Sequence, residues 1–149
     1  MDLGLQDRIA LVTGASSGLG WAAARELARE GCKVALCSRS ETRIRQAAAR
    51  IAVETGVAED RLLPLVCDVR EEAQIVQVIE QVVAHWGQLN ILVTNAGGPP
   101  AGYIGDFTAD DWRAALELNL LSTINLCRHA LPHLRQAARK PNGLARILM

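Results

Sequence analysis

The stretch Thr13-Gly14-Ala15-Ser16-Ser17-Gly18-Leu19-Gly20 separates the apolar run 9–12 from a helix-like segment that begins at Trp21. A strand, a glycine-rich turn and a helix start, in that order, predict the turn that holds a dinucleotide pyrophosphate. Glycine permits the tight turn at 14, close approach of a diphosphate at 18, and close packing of helix on strand at 20. The free N–H groups of the first helical turn and the helix dipole then favour a bound anion.

Composition narrows the class of protein. With 149 residues, half of them hydrophobic, the chain has the size and apolar content of one domain with its own core. The 16 basic and 16 acidic residues cancel, and no basic stripe marks a surface for nucleic acid or an anionic membrane. We therefore expect a small-molecule partner. Because no signal peptide and no membrane-length apolar run is found, we also expect a cytoplasmic protein.

The cysteines give no indication of a metal site. Cys32, Cys37, Cys67 and Cys127 show no C-x-x-C spacing, and most of them lie in apolar runs. Buried, reduced thiols are the expectation for such a pattern, because metal sites and disulfide frameworks normally leave paired or clustered ligands in the sequence.

Short apolar runs alternate with longer periodic segments along the whole sequence. This alternation predicts right-handed βαβ units and an α/β fold, a doubly wound parallel sheet of the Rossmann type over residues 1–149, truncated after its fifth strand. The predicted strands are Arg8–Thr13, Lys33–Ser38, Leu62–Cys67, Asn90–Thr94 and Ala145–Met149. The predicted helices are Gly18–Glu30, Glu41–Thr55, Glu71–Trp86 and Ala109–Ala138, the last with a break allowed near Pro132.

The segment Ala114–Leu121 is apolar almost all round, interrupted by Glu117 and Asn119. Such a helix is usually buried on more than one side, so we expect it to meet both the sheet and another subunit. A buried Asn119 amide must then find partners or cost about 1–3 kcal/mol. Alternatives for Asn119 are a satisfied core amide and a local hydrogen bond that kinks the helix.

Polar and small residues follow two of the predicted strands at the edge where ligands bind in such folds. Asp68 follows the third strand and could accept a hydrogen bond from an adenine amino group, or it could cap the next helix. The segment Asn95-Ala96-Gly97-Gly98 follows the fourth strand. Its small residues let a ribose lie close to the backbone, and the Asn95 amide can bridge strand ends; the alternative is an ordinary turn.

In this order and at these intervals, Thr13-Gly14-x-x-x-Gly18-x-Gly20, Asp68-Val69, Asn95-Ala96-Gly97 and Asn119 resemble the classical short-chain dehydrogenase/reductase family. The resemblance implies NAD or NADP as cofactor and hydride exchange between its nicotinamide and an alcohol or ketone, as in the 3-oxoacyl-carrier-protein reductases. It implies that Asn119 is the helix asparagine of the catalytic tetrad, which organises a water of the proton relay. The cofactor-binding residues expected at these motifs are Gly14, Ser16, Ser17, Gly18, Leu19, Gly20, Asp68, Val69, Asn95, Ala96 and Gly97.

The end of the second strand favours NADP over NAD. In such folds a carboxylate at this place binds the ribose 2′-hydroxyl of NAD, but the strand ends Cys37-Ser38-Arg39-Ser40 with no acid. Ser38 and Arg39 are therefore expected at the cofactor, because the Arg39 guanidinium can pair with a 2′-phosphate and stack on adenine. The alternative is a solvated surface arginine.

The sequence departs from the family in its catalytic residues. Its only tyrosine is Tyr103, which Phe107 follows four residues later, and its only lysines are Lys33 and Lys140, so the family's Y-x-x-x-K motif is missing. We expect a cofactor-binding part that is inactive by itself, with a catalytically silent nucleotide-binding or interaction module as the alternative. A sheet ordered 3-2-1-4-5 would leave the apolar fifth strand at an edge, which predicts a homo-oligomer.

Overall fold

A computed structural model describes residues 3–98 and 100–149 and contains a five-stranded parallel sheet. The strand order is β3-β2-β1-β4-β5, and all four neighbouring pairs run parallel. Both the predicted doubly wound α/β class and the predicted strand order are confirmed. The strands are β1 (Ile9–Val12), β2 (Lys33–Ser38), β3 (Leu62–Val66), β4 (Ile91–Val93) and β5 (Arg146–Leu148).

Helices cover both faces of this sheet. The α-helices are α1 (Gly18–Arg29), α2 (Glu41–Thr55), α3 (Glu72–Trp86), α4 (Ala109–Leu116) and α5 (Ser122–Ala138). Two 3₁₀ turns, Glu59–Arg61 and Ile104–Asp106, lie in the connections. Within the described residues, none of these helices has the length and apolar character needed to cross a membrane.

The core has two layers, because successive residues of a strand point to opposite faces of the sheet. In β1, Ala10 and Val12 pack with the buried residues of α1 and α2, whereas Ile9 and Leu11 pack with those of α3 and α5. Asn90, which is buried just before β4, joins the strands: its Oδ1 accepts from the Ile9 N–H at 3.0 Å. Its Nδ2 donates to the Leu144 carbonyl, also at 3.0 Å.

The chain is helical over the whole predicted range Ala109–Ala138, but the regular α-helix is interrupted at a place other than Pro132. Helix α5 continues past Pro132 without a break. A π-helical turn, Glu117–Leu121, separates α4 from α5. At this turn side chains donate hydrogen bonds to carbonyls four residues back, Asn119 to Ala115 at 3.0 Å and Thr123 to Asn119 at 3.0 Å. Such bonds compete with regular helical hydrogen bonds and distort the helix locally.

The expectation that Ala114–Leu121 is buried against the sheet is wrong for most of that segment. Leu116 and Leu120 are about half exposed, at 52% and 51%, and the Asn119 side chain is exposed. Only Leu118 packs against the sheet-facing core. The local hydrogen bond considered for Asn119 is therefore the alternative that the structure supports.

The junction of β1 and α1 predicts one stability effect. A Cβ at position 20 would stand 2.5 Å from the Gly14 carbonyl oxygen and 2.7 Å from the Asn95 Nδ2. We expect Gly20→Ala to lower the free energy of unfolding by about 1–3 kcal/mol, because neither group can move without disturbing the turn. Urea unfolding followed by circular dichroism measures the change. The matched control is Gly105→Ala, whose added Cβ meets no atom within 4 Å; equal losses in both variants would contradict the close-packing argument.

Candidate cofactor-binding site

A cleft of about 480 Å³ opens where the carboxyl ends of β1 to β4 meet. This is the edge at which open α/β sheets bind ligands. Eleven of the predicted site residues line it: Gly14, Ser16, Ser17, Gly18, Leu19, Ser38, Arg39, Val69, Asn95, Ala96 and Gly97. Five residues that the sequence did not single out as cofactor-binding line it as well: Ser40, Arg43, Cys67, Gly98 and Leu118.

The glycine turn has the backbone geometry that its sequence predicts. Gly14 and Gly18 both adopt left-handed conformations, with φ of +58° and +60°, which a residue with a Cβ takes only at a cost. Gly20 lies outside the cleft wall and serves packing, because its Cα faces the Gly14 carbonyl. A Cβ on Gly18 would meet no protein atom within 4 Å. The space beside Gly18 is thus open to a ligand.

The start of α1 presents unpaired donors to this cleft. The Ser17 side chain makes no capping hydrogen bond, and the first-turn bond runs from the Trp21 N–H to the Ser17 carbonyl at 3.3 Å. The N–H groups at positions 18 to 20 precede the first helical hydrogen bond and so have no acceptor within the helix. By contrast, the Ser40 hydroxyl accepts from the Arg43 N–H and caps α2. The α1 terminus is therefore suited to an anion.

Thr13 and Asn95 fix the ends of β1 and β4 to each other. The Thr13 hydroxyl donates to the Asn95 carbonyl at 2.7 Å and accepts from the Asn95 N–H at 2.9 Å. The Asn95 amide donates to the Gly14 carbonyl at 3.1 Å. The predicted bridging of strand ends by Asn95 is confirmed, and it positions the first glycine of the turn.

Asp68 does not line the cleft, although its neighbours Cys67 and Val69 do. Its carboxylate accepts from Arg70 three times: from Nε at 3.0 Å, from the backbone N–H at 3.0 Å and from Nη2 at 2.6 Å. These hydrogen bonds hold the pKa of Asp68 below its ordinary value. Helix capping by Asp68 is not what the structure shows, because Glu71 occupies the N-cap position of α3.

Two arginines line the cleft next to the end of β2. Arg39 follows β2, and Arg43, which the sequence analysis missed, lies in the first turn of α2. Among residues 3–98 and 100–149, no carboxylate lies within ion-pair distance of either side chain, whereas Arg45 of the same helix pairs with Glu41 at 2.9 Å. The sequence signal for Arg43 is its place in the first turn of the helix that begins two residues after Arg39. Both cations are available to an anionic ligand.

The candidate catalytic residue Asn119 lies beside the cleft and not in its wall. Asn119 lies in the π-helical turn next to the cleft-lining Leu118, but is not itself a lining residue. Tyr103 is exposed and precedes a short 3₁₀ turn, where its N–H bonds to Asp106. It lines no wall of the cleft, which agrees with the view that it is not the family's catalytic tyrosine.

The fold and cleft define a Rossmann-type nucleotide-binding protein. The family model for short chain dehydrogenase matches residues 8–144. The chain belongs to the short-chain dehydrogenase/reductase family.

Relatives with known names include a bovine (Bos taurus) L-fucose dehydrogenase, 33% identical over 135 residues, which cover 87% of this chain and 46% of that protein. A putative ketoacyl reductase of Streptomyces coelicolor is 35% identical over 83% of this chain and 46% of its own length. The structure of L-sorbose reductase from Gluconobacter frateurii, complexed with NADPH and L-sorbose, matches with a TM-score of 0.84 and 32% identity. That match covers 93% of this chain and 51% of the reductase. The chain thus spans about half the length of these relatives.

The Asp68–Arg70 ion pair predicts a pH effect. In Arg70→Gln the pKa of Asp68 should rise toward its ordinary value of 3.8, because the guanidinium no longer favours the carboxylate. The pair stabilises the fold above the unfolded-state pKa, and this contribution is lost as the pH falls through the lowered folded-state pKa. Carboxyl ¹³C NMR titration measures the change. Arg113→Gln, which breaks the exposed pair with Asp110, should leave Asp68 unchanged; a similar pKa of Asp68 in the wild type and Arg70→Gln would refute the assignment.

Proposed function

We propose that this chain is the NADP(H)-binding part of a short-chain oxidoreductase that exchanges hydride between nicotinamide and an alcohol or ketone. One observation carries the proposal: the uncapped α1 terminus, the open space beside Gly18 and the side chains of Arg39 and Arg43 meet in one cleft at the switch region of the sheet. Donors and cations that converge in this way fit a ligand with two separate phosphate groups.

Each wall of the cleft has a proposed task in cofactor binding. The first turn of α1 would bind the diphosphate through its N–H groups, and Val69, rather than Asp68, would border the adenine. Asn95 and Gly97 would place the ribose, with Asn95 held rigidly by Thr13. Hydride transfer is chemistry that the nicotinamide supplies, whereas the protein supplies binding and orientation.

NADP is proposed as the preferred cofactor, with NAD as the alternative. A 2′-phosphate would lie between the Arg39 and Arg43 guanidinium groups. Position 38, at the end of β2, is a serine and not an acidic residue, so no carboxylate there would repel the phosphate. The related Gluconobacter L-sorbose reductase and the actinorhodin polyketide ketoreductase have each been solved with NADPH. These structures support the same choice here.

For catalysis we propose that Asn119 organises a water near the substrate, as the family resemblance implies. The sequence contains no Y-x-x-x-K motif, and loss of a general acid typically costs about 10²–10⁴-fold in rate. We therefore propose that the 149-residue chain has no turnover of its own.

The absence of this motif from the sequence also favours a catalytically silent nucleotide-binding module as the second candidate. Intact-mass measurement of the native product, together with the coding sequence past Met149, separates the two: a product larger than 16.1 kDa whose coding sequence contains Y-x-x-x-K favours the enzyme.

The cofactor assignment predicts a change in affinity. Arg39→Asp should weaken NADPH binding about tenfold or more and leave NADH binding equal or stronger, because the new carboxylate repels a 2′-phosphate. Calorimetric titration with both nucleotides measures the preference. The control Arg45→Asp makes the same charge change on α2, away from the cleft, and should keep the NADPH preference. Tighter binding of NADH than NADPH by the unmutated chain would overturn the assignment.

Homo-oligomerisation is proposed from an exposed apolar stripe along α4, the π turn and α5. Trp112, Leu116, Leu120 and Ile124 recur every four residues, and each is about half exposed. Side chains of this size rarely remain in water as a contiguous patch unless a partner covers them. Strand β5 pairs with β4 on one side and forms the edge of the sheet on the other, and its Leu148 is also exposed. Such an edge strand can pair with a second chain.

The apolar stripe predicts self-association that one charge disrupts. The wild-type chain should elute as a dimer or larger species in size exclusion coupled to light scattering, and Leu120→Asp should shift it toward the monomer. Val53→Asp is the matched control, because Val53 is exposed on α2, outside the stripe. A stable monomer of the wild type at every concentration tested would disprove the proposal.

A further inference from the structure

Two of the four cysteines lie together beneath the nucleotide cleft. Cys37 is in β2, and Cys67 directly follows the neighbouring strand β3. In the β2–β3 register Cys37 lies opposite Leu65, so Cys67 is two residues further along and on the same face of the sheet. Both thiols belong to the core cluster that α3 and α5 cover.

The two side chains lie on the same face of neighbouring strands within one core cluster. Their mutual interaction lowers the pKa of the Cys67 thiol and raises that of the fully buried Cys37 thiol. The backbone around them forms the cleft: the Cys37 carbonyl accepts from the Ala15 N–H, and the Cys67 N–H donates to the Ser38 carbonyl. Cys67 itself lines the cleft, although only 2% of its surface is exposed.

The remaining cysteines differ in place and environment. Cys32 lies in the core layer on the opposite face of the sheet, where burial raises its thiol pKa to about 11. Cys127 is partly buried on α5, and desolvation raises its pKa as well. Neither of them lines the cleft. Cys67 is thus the thiol with both an opening to the ligand site and a second thiol beside it.

We propose that Cys37 and Cys67 form a dithiol site for a soft, thiophilic ligand that enters through the nucleotide cleft. Trivalent arsenic in an organic arsenoxide fits this pair, because its one organic group and two sulfurs complete three coordination positions. Each sulfur forms a bond to arsenic, the two thiol protons leave with the oxide oxygen as water, and arsenic stays trivalent. Zinc does not fit, since a structural zinc site needs four ligands, and no cluster of three candidate ligands occurs among residues 3–98 and 100–149.

Occupation of the dithiol should exclude the nucleotide. Cys37 is enclosed by the core, so a group bound across both sulfurs has to project past Cys67 into the cleft. The organic group then occupies space beside Val69 and Ser38, where the adenine end of the cofactor is proposed to lie. This competition rests on the proposed nucleotide binding, whereas the dithiol site itself does not.

The probe for this site is phenylarsine oxide added to the folded, reduced chain. Intact mass should show one adduct that 1,2-ethanedithiol removes and a monothiol does not. After subsequent denaturation and alkylation with N-ethylmaleimide, Cys32 and Cys127 should carry the alkyl group while Cys37 and Cys67 are protected. NADPH at about ten times its Kd should slow adduct formation about tenfold.

Variants provide the controls. Cys67→Ala and Cys37→Ala should each lose the adduct, and Cys32→Ala and Cys127→Ala should keep it. The alkylation map of the unmutated chain tests the site even where an alanine variant fails to fold. No adduct on the native chain, or protection of Cys32 or Cys127 instead, would overturn the dithiol site. If calorimetry shows NADPH binding but the adduct forms at an unchanged rate, the shared location is wrong; if NADPH does not bind at all, the proposed cofactor function fails and the dithiol site stands.

Discussion

Close contact between the Gly14 carbonyl, Gly20 and Asn95 is the constraint on which the cleft depends. A Cβ at position 14 would stand 2.7 Å from the Asn95 Nδ2. A Cβ at position 20 would stand 2.7 Å from the same atom and 2.5 Å from the Gly14 carbonyl oxygen. With glycine at both positions, α1 begins directly against the ends of β1 and β4, so the N–H groups of its first turn lie at the cleft that Gly18 and Leu19 line. The Thr13–Asn95 hydrogen bonds hold this arrangement without using any of those donors.

The sheet order explains why residues distant in sequence form one site. β1 lies between β2 and β4, so the glycine turn, the Ser38–Ser40 turn and Asn95 meet at one edge. The arginines of the described chain fall into two groups. Most arginines of the described chain are engaged in surface ion pairs, such as Arg45 with Glu41, which contribute little to stability. Within the described part of the chain, Arg39 and Arg43 have no carboxylate within ion-pair distance and so retain their capacity for a phosphate.

Much of this architecture could be predicted because local signals agreed with the tertiary structure. β2 and α2 have the predicted bounds, since an apolar run ends at Ser38, the Ser40 hydroxyl caps the helix and Gly56 terminates it in a left-handed conformation. The glycine turn and Asn95 were predicted for the same reason: few other residues permit those backbone approaches.

Other features depend on information that periodicity does not contain. Side-chain hydrogen bonds of Asn119 and Thr123 to backbone carbonyls accompany the π turn. The sequence indicated such a bond of Asn119 only as one of several alternatives, because periodicity does not distinguish it from a buried amide. The exposure of Leu116 and Leu120 depends on which side of the helix meets the sheet. The pairing of Asp68 with Arg70 required the loop geometry after β3, and the presence of Arg43 in the cleft required the direction of α2.

The hydrogen bond between Ile9 and Asn90 spans 81 residues of sequence, and this has a consequence for how the chain acquires its structure. β1 emerges first from the ribosome, but one of its two neighbours is synthesised only after β2, β3 and three helices. Contacts of such separation close slowly, because chain entropy is lost before they contribute any energy. During synthesis the first strand must therefore keep one apolar edge without its native partner, and the nucleotide cleft is completed only when that partner arrives.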